Sequence, residues 1–120
     1  MPKQMILYNL RDDVKDEDYI KWCHEFKGPL LLGLKSTKSY TLLKMTGGRK
    51  GNGQQGEPPE ETKSPFNFIG ILDVTSTEEW MKDVASEKYQ KEFFAKFFAD
   101  WGAEFYAVMG DEVYHGESDE

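Results

Sequence analysis

Hydrophobic residues along the chain fall into four short runs separated by longer polar or amphipathic stretches. The runs cover residues 5–10, 39–46, 66–74 and 103–109, and they are bounded by charged or glycine-containing turns. Runs of this length, rich in aliphatic and aromatic side chains, are typical of strands. We therefore predict four strands, with helical segments between the first and second and between the third and fourth.

Two stretches between these strands carry apolar residues at helical spacing. The first follows Asp16, a suitable N-cap residue, and is expected to end at residues 28–29, a Gly-Pro dipeptide. The second begins with a capping box at residues 76–79, has a predicted break near Ser86, and ends at Gly102. The side chains at helical spacing are Tyr19, Trp22, Cys23 and Phe26 in the first stretch and Trp80, Tyr89, Phe93, Phe94, Phe97, Phe98 and Trp101 in the second.

The element order βαββαβ predicts an α+β fold of ferredoxin-like architecture, in which two helical segments cover one face of a four-stranded antiparallel sheet. The strands nevertheless carry apolar side chains on both faces. In the third strand, Phe68 and Leu72 point one way, and Ile69 and Ile71 point the other. Since the helices cover only one face, we expect a second copy of the chain to cover the other, giving a homodimer with a dimeric α+β barrel.

A single domain over residues 1–120 accounts for this pattern, with one insertion and one tail. Residues 47–65 contain five glycines, three prolines and no large apolar side chain. A segment with this composition has nothing to pack, so we predict a flexible insertion or mobile flap between strands two and three. The acidic residues 116–120 are predicted to form a disordered tail.

The charge balance narrows the choice of partners. Fifteen basic and 22 acidic residues give a net charge of −7, which repels phosphate backbones and anionic lipid. We therefore expect no nucleic-acid and no membrane partner, and the lack of a signal peptide pattern predicts a cytoplasmic protein. The single cysteine, Cys23, excludes an internal disulfide, and the two histidines lack metal-ligand spacing. No metal is expected.

Several segments resemble a known family. Residues 18–22 (Asp-Tyr-x-x-Trp), the Pro29 break and the Leu34-Lys-Ser sequence are similar to dimeric α+β barrel proteins. The more specific segment, residues 83–90 with the sequence Asp-Val-Ala-Ser-Glu-Lys-Tyr-Gln, resembles the RedY-like/HapK-like proteins encoded with prodiginine pigment biosynthesis. The resemblance implies a small homodimeric protein of a pigment or alkaloid pathway, acting on pyrrole- or indole-like intermediates without a cofactor.

Gln90 and His24 are the candidate catalytic residues. Gln90 falls inside the apolar arc of the last helix, where an amide is either bonded to a neighbouring strand or loop or available to orient a ligand. His24 is of the residue type that proteins use most often for proton transfer, but it lies about 120° around the helix from the apolar stripe. It is therefore either a solvated boundary residue or a proton-transfer group at a pocket mouth. Cys23 is predicted to be an inert buried thiol.

The candidate ligand-binding residues are mostly aromatic. Such side chains either fill the core or line a slot for a flat, nitrogen-containing aromatic or heterocyclic ligand. They are Tyr19, Trp22, Asn67, Phe93, Phe94 and Phe97.

Three functions remain open at this point. The first is a small-molecule-binding protein of secondary metabolism that performs a cofactor-free cyclisation or condensation. The second is a non-catalytic, chaperone-like accessory protein for a pathway enzyme. The third is a cofactor-independent monooxygenase.

Overall fold

The computed structural model of the chain describes residues 2–51, 56 and 60–119. A four-stranded antiparallel sheet in the order β2-β5-β1-β6 forms its centre, and β3 and β4 pair as a separate two-stranded ladder. The strands are β1 (Pro2–Leu10), β2 (Thr37–Lys44), β3 (Gly48–Lys50), β4 (Glu60–Thr62), β5 (Phe68–Val74) and β6 (Gly102–Asp111).

Both helical regions combine α-helix with a wider π-helical turn. The first region consists of α1 (Asp16–Trp22), a first π-helical segment (Cys23–Lys27) and α2 (Gly28–Leu32). The second region consists of α3 (Thr77–Ala85), a second π-helical segment (Lys88–Phe94) and α4 (Ala95–Asp100). Among the helices that the structure describes, none is long and apolar enough to cross a membrane.

The predicted α+β architecture is confirmed, with strand boundaries that differ by a few residues. The predicted break near Ser86 is also confirmed, because α3 ends at Ala85 and Ser86 has an extended backbone. The predicted helix end at residues 28–29 is wrong, since the chain continues as α2 with Pro29 in its first turn. Proline is accommodated there because the π-helical turn before it already interrupts the regular α-helical hydrogen-bond pattern.

The 47–65 segment contains the β3–β4 ladder, in which Gly48 pairs with Thr62 and Lys50 with Glu60. Residues 52–55 and 57–59 lie outside the described residues, so the mobility predicted for the insertion stays a prediction. The same holds for the disorder predicted for residues 116–120, of which 116–119 have no regular secondary structure.

The hydrophobic core lies between the helices and the even-numbered face of β1 and β5. Tyr8 pairs with Phe68 across the sheet, and both side chains are fully buried. Gly102, at the start of β6, lies so close to the helices that an added Cβ would fall 2.3 Å from the Phe97 ring. The side chain of any other residue would therefore push Phe97 out of the core.

The opposite face of the sheet is apolar and has no helix over it. The register places Met5 of β1 beside Ile71 and Val108, and Leu7 beside Ile69 and Tyr106. Tyr106 is 58% exposed, and Leu43 and Val108 are exposed as well. A continuous apolar surface of this kind is unusual on a soluble monomer.

We expect this face to pair with the same face of a second copy, so light scattering at micromolar concentration should give twice the 13.9 kDa chain mass. Tyr106→Glu should shift the protein to the monomer mass, because it places a charge on the apolar face that the two copies bury. Met81→Glu, a change at an equally exposed apolar position on α3, should leave the mass unchanged. A wild-type protein that runs as a monomer would contradict this assembly.

Candidate functional site

The centre of the core holds a lysine. Lys27 is only 2% exposed, although it is the last residue of the first π-helical segment and is followed by Gly28. In this segment the Gly28 N–H donates to the carbonyl of Cys23, five residues earlier, which widens the turn. Extra π-helical turns of this kind occur frequently at functional sites, because they re-aim side chains that a regular helix would place elsewhere.

Two tyrosine hydroxyls accept hydrogen bonds from the Lys27 ammonium. The Nζ atom lies 3.0 Å from Tyr8 Oη and 2.8 Å from Tyr19 Oη. The two hydroxyl oxygens are 2.5 Å apart, so they also share a hydrogen bond. Tyr8 comes from the centre of the sheet and Tyr19 from α1, and the lysine therefore ties a strand to a helix through a closed polar triangle.

Aromatic rings surround the ammonium on the remaining sides. Its Nζ atom lies 4.6 Å from the centre of the Tyr8 ring, and the other four rings are within 5.8 Å. Ring faces attract a cation through their quadrupole, and this attraction strengthens where water is excluded. We call these rings the aromatic cage; they belong to Tyr8, Tyr19, Tyr40, Phe93 and Phe97.

The cage holds a charge that no carboxylate neutralises. Within the described part of the chain, no Asp or Glu forms an ion pair with Lys27. Burial lowers the pKa of Lys27 from 10.5 to about 8, and the nearby Cys23 thiol opposes that change. Burial also raises the pKa of Tyr8, Tyr19 and Tyr40 well above 10. At neutral pH the cluster is therefore a mainly protonated amine among neutral phenols.

A cavity of about 500 Å³ lies next to the cage, between the first helical region and β2. Its size is in the range of sites for small organic ligands, and its walls are mostly apolar. The lining residues nearest to the chemistry are Cys23, His24, Tyr40, Leu42, Lys44 and Phe68.

Tyr40 belongs to both the cavity wall and the cage. Its ring lies against Gly70 of the neighbouring strand, where an added Cβ would come within 3.3 Å of it, and its centre is 5.6 Å from Lys27 Nζ. Its hydroxyl is buried and has no hydrogen-bond partner among the described residues. A buried hydroxyl without a hydrogen-bond partner lowers the stability of the folded state.

Cys23 also lines the cavity, and its thiol lies close enough to Lys27 to affect the charge of the ammonium. The prediction of a buried thiol is confirmed. Burial raises its pKa, while the Lys27 charge and a hydrogen bond from Tyr19 act in the opposite direction. The thiol is therefore protonated at neutral pH and forms part of an apolar wall.

The structure places five of the predicted site residues in or next to the cage and the cavity. Tyr19, Phe93 and Phe97 are buried in the cage, as the helical stripes indicated. His24 is exposed and lines the cavity, in agreement with a position at its mouth. Trp22 is half-buried and stacks on Phe93, so it lies directly behind the cage.

Gln90, Asn67 and Phe94 do not line the cavity in the described structure. The expectation that Gln90 lies on the buried face is wrong, since its side chain is exposed and donates to the Val84 carbonyl at 2.6 Å. Gln90 lies in the second π-helical segment, where the angle between successive residues differs from that of an α-helix. The buried face predicted for a regular α-helix therefore does not apply to it. The catalytic role predicted for Gln90 and the binding roles predicted for Asn67 and Phe94 therefore stay predictions.

Asn67 lies at the end of β5, where it joins two strands. Its side-chain oxygen accepts from the Leu10 N–H, and its own N–H donates to the side chain of Asn9. Phe94 packs on the far side of its helix against Phe98 and Phe105. The contacts of Asn67 and Phe94 hold the sheet end and the helix in place.

Residues 83–90, the segment that resembles the RedY-like family, help to hold the fold together. Asp83 accepts hydrogen bonds from the N–H and hydroxyl of Ser36, at 2.9 and 2.5 Å, just before β2. The Ser86 hydroxyl donates to the Asp83 carbonyl and accepts from the Tyr89 N–H. This network fixes the break between α3 and the helix that carries the cage phenylalanines.

Sequence reasoning missed Lys27, Tyr8 and Tyr40. Lys27 lies four residues after Cys23 and eight after Tyr19, so it continues their stripe, and this signal was available. Two general expectations obscure this signal, because lysine is rarely buried and because a Gly-Pro dipeptide usually ends a helix. Tyr8 and Tyr40 lie on two different strands. Their side chains come together only because of the order of the strands in the sheet.

No other place in the described structure combines a cavity with a buried titratable cluster. A larger groove of about 840 Å³ lies beside the β3–β4 ladder, but every residue that lines it is exposed or half-buried. Among the described residues, no group of His, Cys, Asp and Glu side chains is placed to hold a metal ion.

The lowered pKa of Lys27 predicts a pH dependence of stability. Between pH 8 and about 10, the unfolded chain holds a proton on Lys27 that the folded chain has lost, so Lys27 makes the free energy of unfolding rise with pH. The raised pKa of Cys23 acts in the opposite sense from about pH 9, where only the unfolded thiol ionises. Below pH 8 both states are protonated and the cost of burial is constant. Above about pH 10 the raised tyrosine pKa values reverse the trend, because only the unfolded tyrosines ionise.

Lys27→Met should remove this rise and stabilise the protein at pH 7 by about 1–3 kcal/mol, since it replaces a buried charge by an apolar side chain. Urea unfolding at pH 7 and at about pH 9.5 measures both effects. Lys21→Met, an exposed lysine in the same helical region, is the control and should change neither. A Lys27→Met protein that is less stable at pH 7 and keeps the wild-type pH dependence would contradict this view.

Comparison with solved structures shows the same fold. HapK from Hahella chejuensis covers 100% of both chains with a TM-score of 0.71 at 12% identity. Protein At3g17210 from Arabidopsis thaliana covers 98% of this chain and 100% of its own, with a TM-score of 0.70 at 15% identity. A protein from Thermobifida fusca, described as dimeric and ferredoxin-like, covers 91% of this chain and 88% of its own, with a TM-score of 0.58 at 13% identity.

These identities establish similarity of fold alone. No curated protein matches the chain by sequence. The family model described as REDY-like protein HapK matches residues 2–113, which is nearly the whole chain. The chain therefore belongs to the HapK family of REDY-like proteins.

Proposed function

We propose that this protein binds a flat aromatic or heterocyclic small molecule of secondary metabolism and performs a cofactor-free cyclisation or condensation on it. The observation that carries the proposal is the buried Lys27 cluster beside a cavity of about 500 Å³. A purely structural core would gain stability from an apolar residue at this position, so the retained charge points to chemistry.

The shape of the cavity supports a flat ligand. Phe68 and Tyr40 provide aromatic wall, and Leu42 and Leu32 add aliphatic surface. Apolar walls with a few convergent polar groups are typical of sites for small organic molecules. The chain belongs to the HapK family of REDY-like proteins, and its resemblance to proteins encoded with prodiginine biosynthesis is the reason for placing the ligand in secondary metabolism.

The polar groups support acid–base work on such a ligand. The pKa of Lys27 is about 8. A group whose pKa is close to the ambient pH can act both as a proton donor and as a proton acceptor. Its hydrogen bonds to Tyr8 and Tyr19 hold it in one position, and the apolar surroundings strengthen its electrostatic effect. His24 at the cavity mouth is a second group for proton exchange with water.

Ligand binding in this cavity is tested with indole by calorimetry. Leu42→Phe fills the cavity from its β2 wall and should weaken indole binding at least tenfold, which corresponds to about 1.4 kcal/mol. Met81→Phe adds the same ring on the surface of α3, away from the cavity, and should leave the affinity unchanged.

Equal affinities in the wild type and in Leu42→Phe would show that indole binds elsewhere. Absence of any binding would remove the support for an aromatic ligand. Melting temperatures of both variants must remain close to that of the wild type, so that the comparison concerns the cavity and not the fold.

A further inference from the structure

Two large apolar side chains extend into solvent just beyond the end of β6. Val113 is 94% exposed and Tyr114 is 86% exposed. A single exposed apolar residue is ordinary on a protein surface, whereas adjacent ones beside an apolar face enlarge a continuous patch, which is typical of an interaction site. We call residues 112–115 the C-terminal arm.

The C-terminal arm lies beside the outer face of the sheet, the apolar face that carries Tyr106 and Val108 and has no helix over it in the described structure. At one end of this face, Lys3 of β1 forms an ion pair with Asp73 of β5. An open cavity of about 410 Å³ separates this ion pair from the arm, and the four residues of the arm form its other wall. The arm is therefore continuous with the outer face.

Charged groups hold the base of the arm against the sheet. The pKa of Lys3 is raised by its hydrogen bond to Asp73 and also by the negative charge of Glu112. Glu112 in turn lies 3.5 Å from the other end of the arm, between its Oε1 atom and Nδ1 of His115. The polar residues at both ends of the arm thus have charged neighbours, while the two apolar residues between them remain exposed.

We propose that Val113 and Tyr114 of each subunit pack against the outer face of the partner subunit, so that the C-terminal arm is part of the contact between two copies of this chain. This inference goes beyond the proposed function, because it concerns a surface other than the ligand cavity. Aromatic residues are enriched in protein interfaces, where the tyrosine ring supplies apolar area and its hydroxyl finds a polar partner.

A second copy of the chain fits this surface because of where its apolar and charged groups lie. The middle of the outer face is formed by apolar side chains such as Leu7 and Ile71, and the ion pair of Lys3 with Asp73 lies at its end. An apolar centre with a polar rim is the usual anatomy of a protein interface. The arm lies at that rim, so a copy that covers the centre also meets Val113 and Tyr114.

Sedimentation equilibrium measures the contribution of the arm as a change in the dimer dissociation constant. The double variant Val113→Ser/Tyr114→Ser should raise this constant at least tenfold, because each dimer loses the apolar side chains of two arms. Met81→Ser removes an exposed apolar side chain from α3, away from the outer face, and should leave the constant unchanged. An unchanged constant in the double variant would overturn the role of the arm while the pairing of the outer faces stands. A monomeric wild type would overturn both.

Chymotrypsin gives a second readout, since it cleaves after aromatic residues and Tyr114 is exposed within a single subunit. In the wild type, the rate constant for cleavage after Tyr114 should fall at least tenfold as the protein concentration rises through the dimer dissociation constant. Tyr106→Glu, the variant expected to be monomeric, should be cleaved equally fast at every concentration. A wild-type rate constant that does not change with concentration would overturn the proposal, because Tyr114 would then be exposed in the dimer as well.

Discussion

The burial of one ammonium group without a carboxylate partner is the constraint around which this core is arranged. Moving such a charge from water to an apolar interior costs several kcal/mol, and an ion pair would be the usual compensation. Here the compensation comes from two tyrosine hydroxyls and five ring faces. The need to place all of these groups around Lys27 explains why aromatic residues converge from two strands and both helical regions.

The same arrangement couples the site to the sheet. Tyr8 lies on the central strand β1, and Phe68 stacks on its ring while also lining the cavity. A ligand that occupies the cavity therefore contacts residues that hold the cage together, and the cage sets the position of the charge. Ligand contact and the placement of the Lys27 charge therefore depend on the same packed residues.

The fold was predictable from sequence because it depends on patterns that repeat over many residues. The apolar runs of the strands, the capping box at Ser76 and the break at Ser86 are local signals, and each agrees with the structure. The functional site depends on local departures from regular helix geometry. A π-helical turn changes the direction of Lys27, another moves Gln90 to the surface, and neither has a periodic signature. Tyr40 reaches the cage only because β2 lies beside β5, where Gly70 leaves room for its ring.

The segment that resembles the family and the residues that carry the proposed chemistry have different tasks. Asp83 and Ser86 fix a helix break and, through Ser36, the start of the strand that bears Tyr40. They thereby position two walls of the site, the phenylalanines of the second helical region and the tyrosine of β2. Lys27 lies on the first helical region, outside that network. A chain can therefore keep the family architecture while the residue at the end of the first π-helical segment changes, and that residue is where differences in chemistry among relatives should be sought.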